Sequence, residues 1–548
     1  IQRSNIRQGL ECAQHSAHLT CGIRRYFPRF QLFLIPSRIR TCPHAGYSNR
    51  WAQLKGKIMK NHKTIGIYII AIGIIAFILI VWITPYGAGV SPDSITYISS
   101  AKSIFSGKGF TIHDSPITHY PPFYPIVLAF AGIFESNLVQ ASRFLNAFFF
   151  GVNVGMIALA VYWVTKRNLL ASICAALFFL SSAQILEVHA WAWSEPLFIA
   201  LSLASVILLS FYVIKPTMYL FVASSLLMGF SLITRYIGMG FLPAALIMVF
   251  LGDKKQSIWE KCRAALIWCL LALAPLGIFL TENLLTSGNA TNRSLSYHPK
   301  SLYEFCYHLY SVVISFFAPI SLPAGIRPLI LGLLTIPFVI LIIALFKHRN
   351  KFTTWHETEI VMTLSCLLFI SNYILFLFIS ISLFDSGTPV DFRIMSPVLA
   401  ILVLVFFSGA RVILQVLREP IVRWGILLFI VLSLSIKIPN VIHSALYIRE
   451  NGLGYTARIW QESESIAYIK STVNNVNIYS NGRDVISFLT GKNVLSVSAR
   501  TNANTMLDNQ NFHKEIKSMC EDIIGNRAIL VYLNNITWRW YLPSQAEI

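Results

Sequence analysis

The sequence predicts a mainly α, polytopic membrane protein of about eleven transmembrane helices with a small C-terminal extracytoplasmic α/β domain. Three observations lead there. Of the 548 residues, 55% are hydrophobic and only 12% charged, against roughly 25% charged in ordinary soluble domains. Apolar runs recur along most of the chain at about the 20-residue length a bilayer requires. Lys and Arg gather at alternate ends of those runs, as the positive-inside rule demands. A soluble enzyme, a disordered chain and a disulfide-stapled scaffold are excluded, because apolar content is high and the nine Cys fall without regular spacing.

Taken from the N-terminus, residues 1–63 hold twelve Lys or Arg against one acid, Glu11, and the first Met is Met59. Met59-Lys60-Asn61-His62-Lys63 followed by an apolar run reads as a basic cytoplasmic end leading into a first span, so residues 1–58 are expected to be an upstream basic extension. Mass spectrometry of the native N-terminus would decide this. The +20 formal charge therefore implies no nucleic-acid partner; it reflects that extension and the inside turns.

The expected spans are the runs Ile65–Ile83, Leu138–Val164, Leu169–Ala183, Pro196–Ile214, Met218–Ile233, Ile237–Leu251, Ala264–Leu280, Pro328–Phe346, Ile360–Ser382, Ile394–Gly409 and Gly425–His443. Basic residues fall between them at Lys166 and Arg167, Lys215, Lys254 to Arg263, Lys347 to Lys351, and Arg411 to Arg423, which predicts an inside N-terminus in a cell inner or plasma membrane. An odd number of spans then puts everything after His443 outside. Residues 59–443 form the transmembrane domain, with a long first outer loop at 84–137, and residues 444–548 form the outer domain. In that tail helical stretches (461–473, 484–490, 512–524) alternate with β-rich ones (476–480, 494–498, 528–533), which predicts a partly parallel sheet. Cys306 and Cys520 both fall outside, where a disulfide between them is one option.

Carboxylates are nearly absent from the centres of the apolar runs and cluster at their outer ends: Asp93, Asp114, Glu135, Glu187, Glu195, Glu282, Asp385 and Asp391. An ion-coupled transporter would keep acids at the midplane, so the pattern favours a site at the outer face. In the first outer loop Asp93 follows Pro92 at a helix start, where its carboxylate could cap free backbone N–H groups. The Gly107 and Gly109 pair is too sparse for a phosphate loop.

Asp93 after the first span, Tyr97, the Gly107-Lys108-Gly109-Phe110 step and Tyr120-Pro121-Pro122-Phe123-Tyr124-Pro125 resemble the GT-C superfamily of membrane glycosyltransferases. The group includes the protein O-mannosyltransferases and the lipid A aminoarabinose transferase. Ser194-Glu195-Pro196, Thr234-Arg235-Tyr236 and Asp391-Phe392-Arg393 continue the resemblance in order, over roughly residues 64–500. One departure is that many relatives carry two adjacent acids in the first loop, where this chain has Asp93-Ser94.

The resemblance implies transfer of a sugar from a polyprenyl-phosphate donor to an acceptor hydroxyl at the outer face, with inversion. It makes Asp93 the candidate general base, with Glu195 and Glu187 orienting the acceptor or holding a divalent cation. Arg235, Arg393 and Arg293, with Lys102 and Lys108, are the candidates for the donor phosphate. Tyr97, Tyr120, Tyr124, Trp191 and Trp193 could meet the sugar or simply anchor the protein at the interface. Helix capping remains open for Glu195, an ion pair with Asp391 or Asp385 for Arg393, and lipid-headgroup contact for both lysines. The acceptor, whether lipid, glycan or protein, is not indicated, and a transporter or a catalytically degenerate scaffold is the alternative reading.

Overall fold

The computed structural model describes residues 45–548 apart from 113–114, 253–255, 294, 296, 299, 318–322, 324, 327–328, 330–331, 333–338, 340–357, 418, 474–475 and 504–505, with side chains from Thr64 onward. Seven described helices are long and apolar enough to cross a membrane: Thr64–Ile83, the apolar part of the Ala45–Ile83 helix, then Leu138–Val164, Glu195–Ile214, Ile258–Ser287, Thr358–Leu383, Phe392–Val416 and Pro420–Asn451. An eighth span arises if Leu169–Leu180 and Ala183–Ala190, which meet at a 63° bend, count as one. The protein is a multi-pass membrane protein.

The expected count of eleven is therefore not matched by eleven full-length helices. Two of the anticipated spans are short: Met218–Leu232, and the 3-10 turn Tyr236–Phe241 continuing into Leu242–Gly252. All of the anticipated span 328–346 but residues 329, 332 and 339 lies outside the described residues. The bend in the eighth has a local cause. Ser182 leaves the first helix and accepts a hydrogen bond from the Ile185 backbone, starting a new helix after a two-residue break. At that break Lys437, 3% exposed, donates from Nζ to the Phe178 carbonyl at 3.1 Å and lies over the Phe178 and Phe316 rings. A hydrogen-bond donor on the carbonyl end of a helix satisfies groups that the break leaves without intrahelical partners.

Glu195–Ile214 and Phe392–Val416 sit at the centre of the bundle, with most of their length buried. Thr64–Ile83 is peripheral and exposes Ile67, Ile70, Ile74, Ile75 and Ile78, as a lipid-facing helix does. It meets Leu138–Val164 where Gly73 and Gly151 face each other, so close that a Cβ on Gly151 would stand 2.6 Å from the Gly73 carbonyl oxygen.

After the last long helix the chain builds a three-stranded parallel sheet, order β4-β3-β5, from β3 (Asn477–Ser480), β4 (Val494–Ser496) and β5 (Ala528–Val531). Ile478 pairs with Val494 on one side and Ile529 on the other. The helices Arg483–Thr490 and Phe512–Ile524 supply the parallel crossovers. The hairpin β1 (Thr111–Ile112) and β2 (Ser115–Pro116), between the first two long helices, is separate and antiparallel. Cys306 and Cys520 are both free thiols, which removes the disulfide considered between them.

Candidate active site

Five chain segments converge around residues 91–97, and each delivers its polar side chain from a helix entry or break. Ser91 caps the helix Pro92–Phe105, its Oγ accepting from the Ser94 backbone at 3.3 Å. The cap is thus Ser91 rather than Asp93, so the Asp93 carboxylate is left for other partners; Tyr97 follows one turn later on the same face. Tyr120 lies just before the helix Phe123–Ala131. The bent span delivers Trp191 to Glu195 at the start of the central helix Glu195–Ile214. Arg235 occupies the gap between Met218–Leu232 and the 3-10 turn. Arg393 is in the first turn of Phe392–Val416, whose cap is Asp391, accepting from the Ile394 backbone at 2.9 Å.

Arg393 joins the two acids that the sequence singles out. Its Nε is 2.5 Å from Glu195 Oε1 and a terminal nitrogen is 2.8 Å from Asp93 Oδ2. Arg235 approaches the same Glu195 oxygen at 2.5 Å and donates to Ser194 Oγ at 3.2 Å. The alternative in which Arg393 pairs with Asp391 or Asp385 is therefore corrected: Asp391 is a helix cap, and Asp385 pairs with Arg293. Glu195 is 1% exposed and sits between two guanidinia, whereas the Asp93 side chain is 29% exposed. Of the two carboxylates, Asp93 is the more exposed, with one oxygen held by Arg393 and the other by Tyr120.

Tyr120 donates to Asp93 Oδ1 at 2.9 Å. Burial alone would push the Asp93 carboxyl up, but the Arg393 charge and the Tyr120 hydrogen bond outweigh it and hold the group below the usual carboxylate range. Burial and the neighbouring Asp93 charge push the Tyr97 phenol up to about 12 and raise Tyr120 as well, so both remain protonated donors at neutral pH. Tyr97 packs edge-on against Tyr120 and Tyr124 and accepts a hydrogen bond from Ser194 Oγ at 3.3 Å. Tyr124 is buried, donating to Asn146 Oδ1 at 3.3 Å, which makes it a wall of the site and removes it from contact with a sugar.

Trp193 lies under the Arg393 guanidinium, 4.2 Å from ring centroid to Cζ, stacks on Trp191 at 4.7 Å, and donates from Nε1 to Ser91 Oγ at 2.8 Å. Arg293 pairs with Asp385 and lies over the Tyr236 ring, 5.4 Å from its centroid. Burial and the Arg293 charge push the nearby His119 imidazole down, keeping it neutral.

The structure thus brings together Asp93, Glu195, Arg235, Arg393, Tyr97, Tyr120 and Trp193. Lys102 and Lys108 stand apart, exposed at the far end of the Pro92–Phe105 helix. Glu187 is on the Ala183–Ala190 helix within electrostatic reach of Asp391 and outside the arginine cluster. Ser91, which accepts from Trp193, escapes a sequence reading because serines are common at helix starts; Ser194 lies in a motif the sequence offers, but its hold on Arg235 emerges only in the structure. Among the described residues no group of three or more His, Cys, Asp or Glu could hold a metal ion. The donor set itself does not fit a divalent cation, since both central carboxylates are engaged by guanidinia.

In three dimensions the chain is similar to ArnT from Cupriavidus metallidurans. The apo form has a TM-score of 0.52 and 14% identity over 86% of this chain and 93% of that one. The form bound to undecaprenyl phosphate has a TM-score of 0.51 and 12% identity over 86% and 90%. No family model matches the sequence, and no curated protein matches it. The likeness, over 86% of this chain, shows that it shares the fold of ArnT.

Proposed function

We propose that this protein is an integral-membrane glycosyltransferase that moves a sugar from a polyprenyl-phosphate donor to an acceptor hydroxyl at the outer membrane face, with its N-terminus inside and residues 444–548 outside. The observation that carries the reading is the partly exposed Asp93, ionised and oriented by Arg393 and Tyr120, on the fold of a protein that binds undecaprenyl phosphate. In this mechanism Asp93 takes the acceptor's proton and the hydroxyl oxygen attacks the anomeric carbon. The bond to the lipid phosphate breaks on the opposite side, its electron pair leaving on the phosphate oxygen, so configuration inverts.

The leaving phosphate gains charge as that bond breaks, and preorganised cations there lower the barrier. Arg293 has the most exposed side chain of the site's three arginines and could exchange Asp385 for phosphate while Arg393 keeps its hold on Asp93. Glu195 keeps Arg235 and Arg393 aimed and makes no contact with the reacting atoms. Lys102 and Lys108 meet lipid headgroups.

Purified protein in proteoliposomes, given a panel of polyprenyl-phosphate sugars and envelope acceptors, tests the reading. Transfer abolished by Asp93→Asn with unchanged insertion is the expected result. A protein that transfers none of the panel but moves the lipid between leaflets would replace this reading with the transporter.

A further inference from the structure

The C-terminal segment reaches the site through a backbone seam. Gly89 donates to the Ala190 carbonyl at 2.9 Å and accepts from the Ala192 backbone at 2.8 Å, while Tyr455 donates to the Val90 carbonyl at 2.8 Å. Three short segments, at residues 190–192, 88–90 and 453–456, therefore run side by side in parallel. Thr456 fastens the outer one, its Oγ1 donating to the Ala88 carbonyl at 2.9 Å.

Glycine is required at the crossing. Gly454 has φ +56°, and a Cβ there would stand 2.2 Å from the Val90 carbonyl oxygen and 2.4 Å from the Trp191 ring. Neither backbone nor a stacked indole can yield that far. A Cβ on Gly89 would likewise meet Leu453 at 2.6 Å and Trp191 at 2.9 Å. Trp191 is pressed between this seam and Trp193, and Trp193 carries Arg393 over its ring.

On the far side, the seam is anchored to the α/β fold. Tyr455 donates to Asp484 Oδ2 at 2.8 Å, and Arg539 holds the other Asp484 oxygen at 2.6 Å.

We propose that Gly454 is a positioning residue for the site: the 453–456 segment clamps the Trp191–Trp193 stack and through it sets the aim of Arg393 at Asp93. The α/β segment then acts on the site by backbone pairing, without contributing a group to the chemistry. The inference rests on Arg393 and Asp93 being the working centre, but its first readout is independent of any activity.

The test is hydroxyl-radical footprinting of Trp191 and Trp193 by mass spectrometry on the full chain in nanodiscs. Gly454→Ala should raise oxidation of both indoles several-fold, and Thr456→Val, which keeps the side-chain volume, should raise it less. Gly491→Ala controls for backbone strain, since Gly491 has φ +72° but open space around its Cβ position; it should leave both indoles at the wild-type rate. Transfer by Gly454→Ala should fall about tenfold in kcat with little change in donor KM, and the double variant with Trp191→Ala should be no worse than Trp191→Ala alone.

Wild-type oxidation in a folded Gly454→Ala protein overturns the proposal. If that variant does not accumulate, unchanged oxidation in Thr456→Val overturns it instead. Altered footprints with no transfer from the wild type would refute the glycosyltransferase reading and leave the clamp standing.

Discussion

Arg393→Lys separates the charge at the centre of the site from its shape. The guanidinium serves two carboxylates at once, Nε to Glu195 at 2.5 Å and a terminal nitrogen to Asp93 at 2.8 Å, with Trp193 beneath it. Lysine keeps the positive charge but presents one compact ammonium, which cannot reproduce a planar fork spanning two acids. The variant therefore loses one charge-assisted hydrogen bond, worth about 1.5–3 kcal/mol; lost aromatic stacking, about 0.5–2 kcal/mol, is the smaller part. Glu195 keeps Arg235 as a partner, so the bond given up is the one that orients Asp93. If that bond is needed for transfer, kcat/KM falls roughly tenfold to a hundredfold. Truncation to Ala is a poorer probe, because leaving a buried carboxylate short of a partner costs about 3–5 kcal/mol and endangers the fold. The assay is transfer in proteoliposomes, normalised to protein recovered as a single species in detergent. Arg393→Lys with near-wild-type kcat/KM would show that only the charge matters and would refute the bridging argument.

Asp93→Asn should abolish transfer with unchanged expression and insertion, read by the same assay and by size-exclusion chromatography. Asp93 is held below the ordinary carboxylate range, with Arg393 and the Tyr120 hydrogen bond overcoming burial; its ionised form, and the stability that form contributes, persist above that range and are lost only as pH falls through the lowered value. Tyr120→Phe removes one lowering influence, so the acidic limb of the kcat/KM profile should move to higher pH; an unmoved limb would detach Asp93 from the rate. Lys437→Glu removes the donor to the Phe178 carbonyl and sets a negative charge against the negative end of the Leu169–Leu180 helix, and monodisperse protein recovered from membranes should drop sharply. Wild-type recovery would mean that Lys437 does not secure the bend.

The membrane architecture was legible because burial in lipid demands apolar runs, and those runs mark every long helix among the described residues. Ser194-Glu195-Pro196, Thr234-Arg235-Tyr236 and Asp391-Phe392-Arg393 also stood out, since each interrupts an apolar stretch with charge at a helix entry. What the sequence did not reveal was pairing. Arg393 bonds to partners 300 and 198 positions away in preference to Asp391 two residues before it, because the cap geometry turns the Asp391 carboxylate back onto its own helix. Span length was the other loss. Leu169–Ala183 reads as one apolar run, yet Ser182 restarts the helix within it, and composition averages over such a break.

The arginines of this site do not make it an electropositive funnel. Arg235, Arg393 and Arg293 face Glu195, Asp93 and Asp385 one for one, and Asp391 adds a further acid nearby. Opposite charges at such spacing cancel within a few ångströms, so little field extends outward to steer an anion from a distance. If the donor is the anionic lipid proposed above, it would arrive by diffusing in the plane of the bilayer and be recognised only on contact. Its capture should then respond to crowding and lipid fluidity far more than to the ionic strength of the surrounding water.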